Sequence, residues 1–208
     1  MITAGPTREY IDPVRFLTNE SSGRMGFALA AAAAELGCEV TLIAGPVALA
    51  TPRGVERVDV VSAREMLDAT RRAFARADAL IMAAAVADFR PTRRLAGKWR
   101  AKDRGGKRVR LEGTRNPDSV ASVARRRGRR VAIGFALETA DGERRARKKL
   151  ERKGLDYIVL NDESALNART TTVTVLDARG GMRRIRNQTK ERVARELVEL
   201  LLAARRTP

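Results

Sequence analysis

Small and hydroxyl-bearing residues near the amino terminus form a candidate anion-binding turn. Residues 19–26 (NESSGRMG) open a predicted helix, and residues 5–8 (GPTR) directly follow the first predicted strand. Small residues let the backbone approach a ligand, while Ser hydroxyls and the free N–H groups of a helix start bind phosphate oxygens. The pattern favours a phosphate-binding role, with a plain N-cap at Ser21-Ser22-Gly23 as the alternative.

The chain has 208 residues with no histidine and one cysteine, Cys38, which excludes several kinds of catalytic site. Histidine-dependent triads, histidine bases and histidine metal sites are all absent. One cysteine excludes an intrachain disulfide and a cysteine-cluster metal site, and it fits a reducing compartment. No run approaches the roughly 18 apolar residues of a membrane span, and residues 1–4 do not resemble a signal peptide. We therefore expect a cytoplasmic protein without a membrane span.

The spacing of glycine, lysine and tyrosine disfavours the common nucleotide-binding motifs. Residues 97–98 and 106–107 are Gly-Lys pairs, but neither has the following Ser or Thr and the earlier glycine of a Walker A loop. No full Gly-x-Gly-x-x-Gly follows the first strand, and neither Tyr10 nor Tyr157 has a lysine four residues later. An NAD(P) oxidoreductase is therefore not expected.

The balance of charge points to anionic partners. Lys and Arg number 42 against 25 Asp and Glu, which gives a net charge of +17. Residues 125–130 (RRRGRR) form a dense basic cluster, so a basic nucleic-acid-binding module on a Rossmann-like scaffold is an alternative function. Aromatic residues make up only 4%, too few for a base-stacking platform, whereas small anionic substrates fit the same sign of charge. We expect no dedicated nucleic-acid partner.

Alternating strands and helices must position these residues, and they predict an α/β, Rossmann-like, open and mostly parallel sheet with helices on both faces. The predicted strands are residues 2–4, 40–43, 55–61, 79–86, 131–137 and 155–160, followed by a hairpin at 171–177 and 182–185. The predicted helices are about 23–36, one that starts at a capping box of Ser62 and Glu65, 141–153, and a last one capped by Thr189. Residues 88–107, rich in Gly and basic residues, are predicted to be a basic loop. We expect a single domain over residues 1–208.

Several motifs, in order along the chain, closely resemble the phosphopantothenoylcysteine synthetase family of coenzyme A biosynthesis. They are residues 2–8 (ITAGPTR), 12–15 (DPVR), 19–26 (NESSGRMG), 83–90 (AAAVADFR), 116–118 (NPD), 134–139 (GFALET) and 161–162 (ND). In bacteria this enzyme is commonly fused behind a flavin-dependent decarboxylase. These residues leave no room for a flavin domain, so we expect a stand-alone synthetase or an excised domain, with a decarboxylase domain in a longer protein as one partner.

The resemblance implies a CTP-dependent ligation of 4′-phosphopantothenate with L-cysteine. The 4′-phosphopantothenate carboxylate attacks the α-phosphate of CTP, which releases pyrophosphate and leaves an acyl-cytidylate. The cysteine amine then attacks this mixed anhydride, giving the amide and CMP. Such chemistry requires charge stabilisation and positioning but no histidine, in agreement with the composition. Mg²⁺ is the implied metal.

The same resemblance assigns roles to individual residues. Asn19 would hold the acyl-cytidylate, and Lys98, in the basic flap of about residues 88–107, would stabilise the triphosphate. Asp88 would organise Mg²⁺, and Arg15 would orient Asn19 or contact phosphopantothenate. The family's Lys-x-Lys-Lys is replaced here by residues 98–102 (KWRAK).

The remaining implied contacts are to the nucleotide. Ala84, Ala85 and Phe135 would line a cytosine pocket, while Lys148 and Lys149 would contact phosphates or form a solvated helix face. The full nucleotide-binding set is Gly5, Ser21, Ser22, Gly23, Met25, Gly26, Ala84, Ala85, Asp88, Lys98, Phe135, Lys148 and Lys149. Leu137 replaces a family alanine. Family members dimerise through a β arm, which we place at about residues 165–186, so a homodimer is expected.

Overall fold

The computed structural model describes residues 1–100, 110–138, 140–161 and 170–206. Its helices are α1 (Arg24–Glu35), α2 (Ala63–Phe74), α3 (Ser119–Ala124), α4 (Gly142–Lys153) and α5 (Lys190–Arg206). Its strands are β1 (Ile2–Ala4), β2 (Arg8–Tyr10), β3 (Phe16–Thr18), β4 (Val40–Ala44), β5 (Val55–Asp59), β6 (Ala79–Met82), β7 (Phe89–Pro91), β8 (Gly113–Arg115), β9 (Val131–Leu137), β10 (Tyr157–Asn161), β11 (Thr170–Asp177) and β12 (Met182–Thr189). None of the helices in these ranges has the length and apolar composition needed to cross a bilayer.

An eight-stranded sheet forms the centre, in the order β12-β11-β10-β9-β6-β1-β4-β5. From β10 to β5 every pairing is parallel, with Ile2 of β1 opposite Leu42 on one side and Ile81 on the other. The chain runs outward from β1 to β5 and then crosses to β6 on the other side of β1. The sheet therefore has a topological switch point between β1 and β6, where ligands of such folds bind. The predicted Rossmann-like class is confirmed.

Helices cover both faces of the sheet because successive strand residues point to opposite sides. Val131 and Ile133 pack in one core cluster with α1 and α5, whereas Ala132 between them packs in another with α3 and α4. Alanines on α1 let it lie close to β1, and Gly26 makes the closest approach, since a Cβ there would collide with Ala4. A glycine inside a helix is disfavoured by propensity, so the packing accounts for its presence here.

The predicted caps are confirmed by their hydrogen bonds. Ser62 Oγ accepts from Glu65 N–H at 3.2 Å, and the Glu65 carboxylate accepts from Val61 N–H at 2.9 Å. Thr189 Oγ1 accepts from Arg192 N–H at 3.2 Å at the start of α5. Gly154 ends α4 with a left-handed φ of 67°.

Three segments differ from the predictions, each because of backbone pairing that the local sequence pattern does not mark. The segment between the first predicted strand and the first predicted helix contains the hairpin β2–β3. The predicted basic loop 88–107 begins with β7, which pairs with β8. The predicted strand 79–86 ends at Met82. Beyond it, residues 83–87 run beside residues 3–7 through separate hydrogen bonds, such as Ala85 N–H to Gly5 C=O at 2.9 Å.

The predicted hairpin arm is part of the central sheet. Its two strands are β11 and β12, and β11 pairs antiparallel with β10 through Val159 and Val175. The arm is therefore continuous with the sheet edge instead of separate from it, because its apolar positions are buried against α5. Residues 101–107 of the predicted flap and 165–169 of the predicted arm lie outside the described residues.

Candidate active site

A cavity of about 1110 Å³ opens at the carboxyl ends of the parallel strands, at the switch point. Residues at the ends of β6 and β9 and just beyond them line it, together with the start of α1 and one face of α4. Twelve of the residues implicated by sequence lie along its wall: Asn19, Ser21, Ser22, Gly23, Met25, Gly26, Ala84, Ala85, Asp88, Phe135, Lys148 and Lys149. Residues predicted from scattered motifs are thus brought to one place.

The start of α1 presents backbone donors and small residues to the cavity. Gly23 is the N-cap, in a left-handed conformation with φ of 74°, and no side chain caps the helix. The N-cap thus lies within residues 21–23, but neither serine side chain caps the helix: Ser21 Oγ accepts from Gly23 N–H at 3.3 Å. The first hydrogen bond of α1 runs from Phe27 N–H to Gly23 C=O, which leaves the N–H groups of residues 24–26 without an intrahelical acceptor. This arrangement suits a phosphate.

Gly5 supports this turn from outside the cavity. A Cβ on Gly23 would lie 3.4 Å from Gly5 Cα, so the two backbones are in close contact. Gly5 itself has a positive φ of 74°, a conformation that favours glycine. Its position is compatible with shaping the phosphate turn, and it does not line the cavity.

Asn19 is held at the cavity wall by the chain beyond β6. Its Nδ2 donates to Val86 C=O at 3.1 Å, and the preceding Thr18 donates from Oγ1 to Thr7 C=O at 2.7 Å. These bonds fix the direction of an uncharged amide at the mouth of the cavity. Such a group can hold acyl and phosphoryl oxygens without adding charge.

Asp88 lies on the same wall, and Asn116 braces the backbone of residues 87–88. Asn116 N–H donates to Asp88 C=O at 2.8 Å, and Asn116 Nδ2 donates to Ala87 C=O at 2.9 Å. Arg90 Nη1 in turn donates to Asn116 Oδ1 at 3.0 Å. The Asp88 carboxylate is exposed to the cavity.

Helix α4 forms a basic wall in which adjacent lysines differ. Lys149 is half-buried and faces the cavity, whereas Lys148 is exposed at its rim. Burial lowers the pKa of Lys149 and the nearby Lys153 lowers it further, while Glu138, Asp118 and Asp88 oppose the shift.

Lys153, one turn beyond Lys149, has a carboxylate partner. Its Nζ lies 3.0 Å from Asp118 Oδ1, and the same oxygen caps α3 by accepting from Ala121 N–H at 3.0 Å. The pKa of Asp118 is lowered, because these hydrogen bonds outweigh the opposing effect of burial. This pair fixes α4 against α3.

Arg15 and Lys98 do not line the cavity. Arg15 Nη1 donates to Asp12 Oδ2 at 2.6 Å and to Trp99 C=O at 2.7 Å, and Trp99 N–H donates to Asp12 Oδ2 at 3.0 Å. Arg15 thus ties the amino-terminal hairpin to the flap residue that follows Lys98. Lys98 is exposed, and its role at a triphosphate stays a prediction.

The buried Asp12 carboxylate organises this junction. Burial alone would raise the pKa of Asp12, but backbone N–H donors of Trp99, Val14 and Arg15, together with the Arg15 guanidinium, hold it well below its ordinary value. Asp12 therefore stays ionised under all ordinary conditions. We name the contact of Trp99 with Asp12 and Arg15 the flap base.

Sequence reasoning missed several polar residues of the cavity, among them Asn161, Thr171 and Lys190. Asn161 was noted only as part of a motif. Thr171 and Lys190 come to the cavity because β11 and β12 run back along the sheet and α5 starts beside them. No local sequence pattern marks Thr171 or Lys190 as a cavity residue, because their position depends on how distant strands pair.

A family model described as the DNA/pantothenate metabolism flavoprotein C-terminal domain matches residues 1–204. The coenzyme A biosynthesis bifunctional protein CoaBC of Bacillus subtilis is 42% identical over 98% of this chain and 50% of the relative. CoaBC of Vibrio cholerae is 52% identical over 79% of this chain and 41% of the relative. This chain therefore spans about half the length, or less, of these curated relatives.

The similarity to CoaBC extends from the sequence to the fold. A crystal structure of the C-terminal domain of CoaBC superposes with a TM-score of 0.81 at 40% identity, covering 96% of this chain and 91% of that one. Sequence and fold thus confirm the resemblance drawn from the motifs, several of which line the cavity. This chain belongs to the family of the DNA/pantothenate metabolism flavoprotein C-terminal domain.

Proposed function

We propose that this chain ligates 4′-phosphopantothenate to L-cysteine, with CTP as the activating nucleotide. The observation that carries the proposal is the single cavity that gathers the donor-rich start of α1, the fixed amide of Asn19 and the basic face of α4. These groups suit a reaction between anionic partners. The CoaBC relatives, by name proteins of coenzyme A biosynthesis, support the same choice.

For each half-reaction, the cavity offers candidate groups to stabilise the developing charge or to hold the reacting group. When the 4′-phosphopantothenate carboxylate oxygen attacks the α-phosphorus, the bond to the pyrophosphate oxygen breaks, and negative charge accumulates on the phosphoryl oxygens. The N–H groups of residues 24–26 and the ammonium of Lys149 are the candidates to stabilise that charge. When the cysteine amine attacks the acyl carbon, the bond to CMP breaks, and Asn19 is the candidate to hold the acyl group.

Asp88 is the proposed ligand of Mg²⁺. Among the described residues no group of three or more His, Cys, Asp or Glu side chains converges. One exposed carboxylate beside a triphosphate site fits Mg²⁺, since this ion is commonly bound by one or two carboxylates, substrate phosphates and water. Bound there, the ion would supply charge neutralisation on the phosphate oxygens.

The wider setting is part of the proposal. We propose a cytoplasmic homodimer that uses the segment of residues 165–186, and a flavin-dependent decarboxylase domain in a longer form of the protein. Light scattering at micromolar concentrations tests the dimer, and a monomer throughout that range would contradict it.

The activity is tested by omission of single substrates. Pyrophosphate release is expected to require both CTP and 4′-phosphopantothenate, whereas CMP release is expected to require L-cysteine as well. Replacing CTP by ATP separates two conclusions. Activity with ATP alone would overturn the nucleotide assignment and keep the ligase, and no pyrophosphate with either nucleotide would contradict the ligase itself.

A further inference from the structure

Two polar side chains at one end of the cavity have no hydrogen-bond or ion-pair partner among the residues that the structure describes. Lys190, the first residue of α5, is 8% exposed, and Thr171 on β11 is 5% exposed. Both line the cavity. The Thr171 Oγ1 atom is buried and makes no hydrogen bond.

Lys190 differs from the other buried lysine of the described chain. Lys153 has the Asp118 carboxylate at 3.0 Å, whereas no carboxylate of a described residue lies within ion-pair distance of Lys190. A lysine side chain that is largely buried without a counter-ion is costly for a protein to retain. The absence of a carboxylate partner among the described residues therefore points to an anion that arrives from outside.

The surroundings of Lys190 indicate where in the cavity such an anion would lie. Burial lowers the pKa of Lys190, the neighbouring Arg24 lowers it further, and Glu191 opposes the shift. Arg24 is the first residue of α1, next to the turn with unpaired N–H donors. Lys190 and the start of α1 thus face the same part of the cavity.

We propose that Lys190, assisted by the Thr171 hydroxyl, binds a phosphoryl group seated at the start of α1. An ammonium and a hydroxyl both donate to phosphoryl oxygens, and α1 contributes its N–H groups from the other side. The inference rests on the proposed function for the identity of its ligand, which is either the triphosphate of CTP or the phosphate of 4′-phosphopantothenate. An unpartnered threonine hydroxyl alone would not support this proposal, because the Thr70 hydroxyl is also unpartnered and Thr70 does not line the cavity.

The test compares Lys190→Met with Arg192→Met by calorimetric titration of three ligands. These are CTP with Mg²⁺, 4′-phosphopantothenate, and inorganic tripolyphosphate as a probe independent of the base. Arg192 is an exposed cation two residues further along α5, outside the cavity, so its variant loses the same charge. Thr171→Val, which keeps the side-chain shape, is measured alongside.

We expect Lys190→Met to weaken binding of at least one ligand by about tenfold or more, while Arg192→Met stays within about twofold of wild type. Thr171→Val should weaken the same ligand by a smaller factor. Without ligand, Lys190→Met should melt at the same temperature as wild type or higher, because an unpaired buried charge is removed. A loss confined to CTP or to 4′-phosphopantothenate identifies the source of the phosphoryl group.

Other results overturn the inference. The inference fails if Lys190→Met binds all three ligands as tightly as wild type. It also fails if Arg192→Met loses the same affinity. A loss of affinity in Lys190→Met together with a lower melting temperature would indicate a structural role and would overturn the inference as well. If wild type ligates normally while Lys190→Met is unchanged, the inference fails and the proposed function stands. If only tripolyphosphate binds, and does so through Lys190, the proposed function fails and the inference stands. A wild type that binds none of the three overturns both.

Discussion

Lys148 and Lys149 are adjacent in sequence, yet the helix turns them toward different surroundings. Successive residues of an α-helix point about 100° apart, so one lysine enters the cavity while the other reaches solvent at the rim. Lys149 is surrounded by Lys153, Glu138, Asp118 and Asp88, whose charges act on its pKa. The exposed Lys148 is screened by water.

We therefore expect Lys149→Met to lower the affinity for CTP with Mg²⁺ by about tenfold or more, and Lys148→Met by no more than about threefold. The pKa of Lys149 lies below 10.5 in the free protein, and a bound phosphate would raise it. Binding should then take up a proton, so affinity falls as pH rises through the lowered pKa. Titration calorimetry at several alkaline pH values measures both effects, and equal losses in the two variants would contradict this difference between the lysines.

At the scale of elements, the flap base is a junction between segments far apart in the sequence. Asp12 Oδ1 accepts from the N–H groups of Val14 and Arg15 at 2.7 Å each, and Oδ2 accepts from Arg15 and Trp99. One carboxylate thus organises its own turn and holds the flap at Trp99. The position of Lys98 relative to the cavity depends on this junction.

Asp12→Asn is expected to release the flap base. Whichever way the amide is turned, its NH₂ group faces two N–H donors, so at least two hydrogen bonds are lost. Trypsin should cleave faster after Lys98 and Arg100, and emission from Trp99, the one tryptophan of the chain, should change. Mass spectrometry of the fragments identifies the cleaved sites.

Asp68→Asn is the matched control, since Asp68 is exposed on α2. Cleavage after residues 98 and 100 at the same rate in both variants and wild type would contradict the prediction. Acid provides a second check on wild type. The pKa of Asp12 is held far below 3.8, so the flap base should persist as pH falls to about 4 and be lost only on stronger acidification.

The elements also differ in how well the sequence alone predicts them. The start of α1 and the caps at Ser62 and Thr189 were predictable, because they depend on residues a few positions apart. The apolar run of residues 79–86 was predicted to be one strand, but its second half forms the cavity wall, since β1 beside it ends at Ala4. Lys190 was not predictable as a site residue, because only the antiparallel return of β11 and β12 places it there.

At the scale of the whole molecule, only a small part of the excess positive charge lies at the cavity. Seven basic and four acidic residues line the cavity, so most of the net +17 lies elsewhere. The dense cluster of residues 125–130 is largely engaged within the protein. Arg127 binds Asp156 at 2.6 Å, Arg125 donates to Arg152 C=O at 2.7 Å, and Arg130 donates to Ala77 C=O at 2.6 Å.

We therefore expect only weak, salt-dependent binding of nucleic acid. Fluorescence anisotropy with a labelled DNA duplex and a labelled RNA strand should show no tight complex at about 150 mM salt, and titration should show a steep loss as salt increases. CTP with Mg²⁺ should still raise the melting temperature in the presence of either nucleic acid. Tight binding at that salt without stabilisation by CTP would favour the alternative of a nucleic-acid-binding module.

The packing of α1 against α5 has a consequence for how the protein forms. These helices come from nearly opposite ends of the sequence and share one core cluster, in which Leu29 and Leu197 are both buried. During synthesis, the part of α1 that packs on α5 stays uncovered until α5 leaves the ribosome, whereas the partners of α1 in β1 and β4 are close to it in sequence. Contacts of such wide sequence separation fold slowly and leave apolar surface open to aggregation meanwhile. The nascent amino-terminal half is thus the stage at which we expect this protein to need a chaperone.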